Sequence, residues 1–154
     1  TFDITILPDT DYEGDETFSV VLSNATTAML GTPAVSVVTI TEDDPAPNIA
    51  PTATDDFQEV QWNSPGVTFF VTTKDVDPDG TIDVTSVVIT TGPNTQRGGT
   101  VVNNGNGTVT YVPRKNFRGT DTFQNTVEDD PNSIPGDNDG LTSNLATVRI
   151  NVVR

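Results

Sequence analysis

Two stretches of the sequence concentrate oxygen ligands. Residues 9–16 read DTDYEGDE and place five carboxylates in eight positions. No Lys or Arg precedes Lys74, so the neutralising charge is not local. Water with dissolved salt, a partner protein or a metal ion can supply it. A hard cation such as Ca²⁺ takes about six to eight oxygens at roughly 2.3–2.6 Å, from carboxylates and carbonyls in flexible loops. Residues 75–83, DVDPDGTID, alternate Asp75, Asp77 and Asp79 and add Asp83 at the ninth position. That order matches the opening of an EF-hand loop. Its twelfth position is Ser86 instead of a bidentate Glu, and strands flank it, so a true EF-hand is not expected. A calcium-tolerant turn and a turn whose Asp side chains cap its own backbone both fit. A third group joins Asp55 and Asp56 with Glu128, Asp129 and Asp130, and Asp137 and Asp139 follow in a long loop.

Composition removes other chemistries. The chain carries 22 acidic and 7 basic residues, a net charge of −15. It repels phosphate backbones and anionic lipid, so neither nucleic acid nor membrane insertion is expected. His and Cys are absent, which excludes serine triads, thiol nucleophiles, the usual zinc sites and disulfides. A glycosidase needs paired carboxylates within about 10 Å and commonly aromatic walls. One Trp, two Tyr and seven Phe, mostly at inferred core positions, do not provide them, and no catalysis is expected. Without an apolar run of about 18 residues or a signal peptide, the chain reads as an internal piece of a longer protein.

The elements that must carry these groups are strands. Thr and Val dominate short alternating blocks, and branching at Cβ favours extended backbone. Three strands are expected at 1–7, 16–23 and 34–41. PAPNIAPT then reads as a stiff linker across 46–52. Seven more are expected at 57–62, 67–73, 81–91, 98–104, 108–113, 121–129 and 146–153, with a hairpin turn at 103–107. This is an all-β chain whose second part, 53–154, is an immunoglobulin-like sandwich. The first, 1–45, is too small to bury a core alone. Its apolar faces call for cover from a second copy of the chain or the second domain.

The run DTDYEGDETFSVVLSNAT followed by LGTPAVSVVTITEDD resembles the closing part of a Calx-beta domain. The resemblance spans about 1–44, and the family's first strands are not in this sequence. It implies Ca²⁺ ligation by Asp9, Glu13 and Glu16, a carbonyl from Asp11, and completion by Glu42, Asp43 and Asp44. NIAPTATDD, DVDPDG, GTVTYVPRKNFRGTDTF and SNLATVRINV resemble the cadherin-like, VCBS-type repeats of bacterial surface adhesins across 48–153. Asn125 stands where that family commonly has an aromatic, and 129–144 is longer than its usual turn. The resemblance to cadherin-like arrays implies that Asp55 and Asp56, with Glu128, Asp129 and Asp130, meet the acids that end the preceding domain and share an ion that stiffens the joint.

The resulting expectation is a non-catalytic, calcium-stiffened structural and adhesion module of a large extracellular or cell-surface bacterial protein. The alternative is a carbohydrate-binding module using calcium and an exposed aromatic, Trp62. Partners left open are neighbouring domains, a second copy, glycans and surface proteins.

Overall fold

The computed structural model describes residues 4–32, 34–132 and 140–154. The chain forms two compact units, Thr1–Pro47 and Asn48–Arg154. Among the described residues, no helix is long and apolar enough to cross a membrane.

In the first unit, β1 (Glu16–Val21) pairs antiparallel with β2 (Val35–Ile40), in a register that sets Glu16 opposite Ile40. Among the described residues two strands form here, instead of the three expected. Residues 4–7, the described part of the strand expected at 1–7, belong to no ladder. Alternation expresses a preference for extended backbone, but a strand also needs a hydrogen-bonding neighbour. Ile4 and Ile6 instead share an open apolar hollow with Phe18, Val20, Val38 and Ile40. No described residue of this unit is buried, in keeping with its size.

The second unit contains β3 (Asp56–Gln61), β4 (Val67–Phe70), β5 (Ile82–Ile89), β6 (Thr100–Asn103), β7 (Thr108–Val112), β8 (Gly119–Asp129) and β9 (Ala146–Val153). They form a four-stranded sheet, β3-β9-β8-β5, and a three-stranded sheet, β4-β7-β6. Only β3 and β9 run parallel; the other pairs are antiparallel. All seven expected strands form, and the fold is an immunoglobulin-like β-sandwich. Segment 46–52 is not wholly a connection: Thr52 joins the second unit through two backbone bonds with Val76, at 2.7 and 3.0 Å.

The strand period places alternate side chains inside. Val148, Ile150 and Val152 of β9, Phe123 and Val127 of β8, and Val101, Val109 and Tyr111 of the facing sheet form the core. Val60, Ala53 and Ala146 join it. In β5 the alternation breaks: Val84–Val87 stand opposite the single Val127 in a wide bulge.

Two residues of the run 107–123 meet inside the sandwich. The Tyr111 hydroxyl donates to Asp121 Oδ2 at 2.9 Å, and neither residue exposes any surface. The same carboxylate accepts from Thr95 Oγ1 and, at 2.8 Å each, from the Arg97 and Thr122 amides. Burial, then the Asp121 carboxylate, raises the Tyr111 pKa well above its ordinary range. Gly99 lies against this pair. A Cβ there would sit 2.7 Å from the Tyr111 ring and 2.9 Å from Asp121 Oδ2, so the position admits no side chain without displacement.

Candidate metal centre

Antiparallel pairing explains how the first acidic stretch meets the second. Because Glu16 opens β1 opposite Ile40 at the end of β2, the residues before Glu16 and those after Ile40 share one end of the ladder. The Glu42 carboxylate organises that end. Its Oε2 accepts from the Glu13 amide at 2.7 Å and from the Gly14 amide. Its Oε1 accepts from the Asp43 and Asp44 amides at 3.1 and 2.9 Å. Gly14 has φ +80°, which an L side chain rarely adopts, and this turn directs its amide inward. Asp15 Oδ1 returns a bond to the Glu42 amide at 2.9 Å, and Asp9 Oδ1 accepts from the Asp11 amide at 3.0 Å.

These bonds leave a hollow of about 380 Å³ whose wall includes Asp9, Asp11, Glu13 and Glu16 on one side and Glu42, Asp43 and Asp44 on the other. No basic side chain lines it. Among the described residues, Glu42, Asp43 and Asp44 are the set whose carboxylate oxygens all approach within 4.8 Å of one another. The electrostatics follow. Backbone bonds, first from Asp44 and then from Glu13 and Gly14, hold the Glu42 pKa below its ordinary range. Repulsion from Asp9, then Glu16, raises that of Glu13. Desolvation, then Asp43 and Glu42, raises that of Asp44. The concavity therefore gathers hard oxygen donors at a mutual electrostatic cost that a cation would offset.

The acids of the second unit are distributed differently. Asp55 Oδ1 accepts from the Thr147 amide at 2.7 Å, and Asp56 forms a salt bridge to Lys74 at 2.9 Å. Asp75 Oδ1 holds the Thr54 amide at 2.8 Å, and Asp79 Oδ2 holds that of Ile49 at 2.9 Å. Asp83 caps the β5 bulge, accepting from the Thr85 amide and hydroxyl at 2.8 and 2.7 Å. Asp75, Asp77, Asp79 and Asp83 are not among the described acids whose oxygens gather within 4.8 Å of one another, and Asp83 is spent on the bulge that follows it.

Three carboxylate oxygens in this unit nevertheless stand apart. Asp75 Oδ2, Asp77 Oδ2 and Asp129 Oδ2 are enclosed by protein and accept no hydrogen bond from the described residues. The other Asp129 oxygen accepts from the Leu141 amide at 2.6 Å. Desolvation raises the pKa values of Asp75 and Asp77. Asp130 holds the Asn132 amide, and Glu128 the Thr142 hydroxyl. Asp137 and Asp139 lie outside the described residues.

Trp62 is only partly exposed. It packs against the core, and the Arg118 guanidinium lies 4.5 Å from its ring centroid. Sequence reasoning also passed over Asp15, whose service to Glu42 depends on residues 27 positions apart.

Residues 48–151 match the family model described as Bacterial Ig domain. No curated protein matches the chain.

Proposed function

Because the chain belongs to the bacterial Ig domain family, we propose that it is a calcium-binding spacer and adhesion module of an extracellular or cell-surface protein. Domains of this family are typically non-catalytic and occur in surface and extracellular proteins. The observation that carries the calcium reading is the concavity lined by seven acidic residues and no basic one. The Calx-beta resemblance of residues 1–44 assigns ligand roles to the same side chains. The enclosed oxygens of Asp75, Asp77 and Asp129 add support, since a buried carboxylate oxygen without a protein donor calls for a proton, an ordered water or a cation.

The residues fit the ion by donor type. Asp9, Glu13, Glu16, Glu42, Asp43 and Asp44 would supply carboxylate oxygens, and Asp11 a carbonyl. Glu42 has a second duty, because its backbone bonds fix the loop against β2. Without a cation the carboxylates repel and the loop is free to open; with one, the two walls are drawn together. Small-angle scattering and thermal melting of the full chain, with calcium and with chelator, test this mechanism. A calcium-dependent rise in melting temperature and a narrower distribution of shapes are expected. Identical curves would leave a plain sandwich spacer.

A further inference from the structure

The outward face of the four-stranded sheet carries a different chemistry. Beyond Ile89 the chain returns to β8 twice, through Thr90 N to Gln124 O and Gln96 N to Thr122 O, each 2.9 Å. Between these bonds Pro93 and Thr95 pair with Val101 and Gly99, and Thr91, Asn94 and Thr95 wall a hollow of about 420 Å³. Its lining includes Thr91, Asn94, Gln96, Thr122, Gln124 and Thr147, and none of its lining residues is ionisable. Thr147 also borders a second hollow, of about 310 Å³, lined besides by Asp55, Asp56, Phe57 and Arg149. Register sets Phe57, Arg149 and Thr122 abreast on neighbouring strands. With Gln96 beyond Thr122, this row extends about 14 Å at the usual strand spacing.

These groups are not occupied in holding the fold. The side-chain amides of Asn94 and Gln124 make no hydrogen bond to described protein atoms, and Gln96 uses only its carbonyl, accepting from Thr122 at 3.1 Å. Arg149 forms no salt bridge among the described residues. Phe57 is 64% exposed, an aromatic ring left in solvent on a sheet face whose inward side is fully packed. Amides and hydroxyls both donate and accept, which suits a ligand dense in hydroxyl groups. An aromatic ring offers an apolar face beside a polar edge. The first hollow is uncharged, and the two acids beside the second, on a chain of net charge −15, disfavour a polyanion.

We propose that this face binds a neutral oligosaccharide, with Phe57 as the stacking platform and Asn94, Gln96 and Gln124 reading sugar hydroxyls. None of these four side chains is a candidate calcium ligand, and Asp56, which borders the Phe57 hollow, is paired with Lys74. The test is the full chain applied to an array of neutral and acidic glycans, once with calcium and once with chelator. Binding to neutral glycans is expected in both conditions. Phe57→Ala and Gln124→Ala should each weaken it by about tenfold or more, while circular dichroism melting shows them folded. The proposal is overturned if no neutral glycan is bound, if binding is confined to acidic glycans, or if both variants bind like the parent. Loss of binding in chelator alone would also overturn it, by placing the ligand at the acidic loops.

Discussion

Replacing Asp121 with Ala removes the acceptor at the centre of the sandwich. The carboxylate has no exposed surface and receives four hydrogen bonds, from Tyr111, Thr95, Arg97 and Thr122. Each donor left without an acceptor costs about 1–3 kcal/mol when buried. Tyr111 is fully buried and Thr95 nearly so, and their hydroxyls bear the larger penalties; the two amides lie nearer solvent. Relief from burying a charge opposes the loss. The balance is a destabilisation of about 3–5 kcal/mol, a large fraction of the roughly 5–15 kcal/mol that holds a domain together. For a unit of this size, the melting temperature should fall by about 12–20 °C. Trp62, the only tryptophan and packed on this core, reports urea unfolding by fluorescence. Tyr111→Phe should cost about 1–2 kcal/mol, and the double variant less than the sum of the singles, because one bond is counted in both. A loss below about 1 kcal/mol for Asp121→Ala, or strict additivity, would refute the claim that this bond anchors the two sheets.

Three other outcomes follow from the same core. Gly99→Ala should destabilise the second unit measurably in urea, because its Cβ would meet the Tyr111 ring and Asp121 at under 3.0 Å. Asn125 is fully buried with neither side-chain atom hydrogen-bonded among the described residues, so Asn125→Val should stabilise by about 1–2 kcal/mol, read as a rise in the urea midpoint. Tyr111 keeps its proton in the folded state after the unfolded chain has lost it. Stability should therefore fall as pH rises above about 10, the ordinary tyrosine value, and Tyr111→Phe should flatten that slope in alkaline urea titrations.

Much of the sandwich is legible from period alone. Val148, Ile150 and Val152 sit at alternate positions, and the same rule turns Thr147 and Arg149 outward. The β5 bulge is not legible, because TIDVTSVVITT reads as an unbroken strand and only pairing with Glu128 and Thr126 shows the extra residues. That bulge takes Asp83 as its cap, a use that a spacing argument for metal ligation does not anticipate. At 1–7 the residue types favour extension, yet the partner that would make a ladder is not encoded locally. The acidic concavity was foreshadowed by residue types on both sides of the hairpin. The hub role of Glu42 and the support from Asp15 arise only once β1 and β2 are in register. Arg118 reaches Trp62 from a loop 56 residues away, which no local pattern signals.

The central claim is that the acidic end of the β1–β2 ladder binds calcium. Calorimetric titration of the chelator-treated chain with calcium chloride, set beside Glu13→Ala and Glu42→Ala, tests it most directly. Saturable binding is expected, weakened by Glu13→Ala through loss of a ligand and more by Glu42→Ala through loss of both a ligand and the four backbone bonds that shape the loop. No heat of binding, or equal binding by both variants, would contradict it.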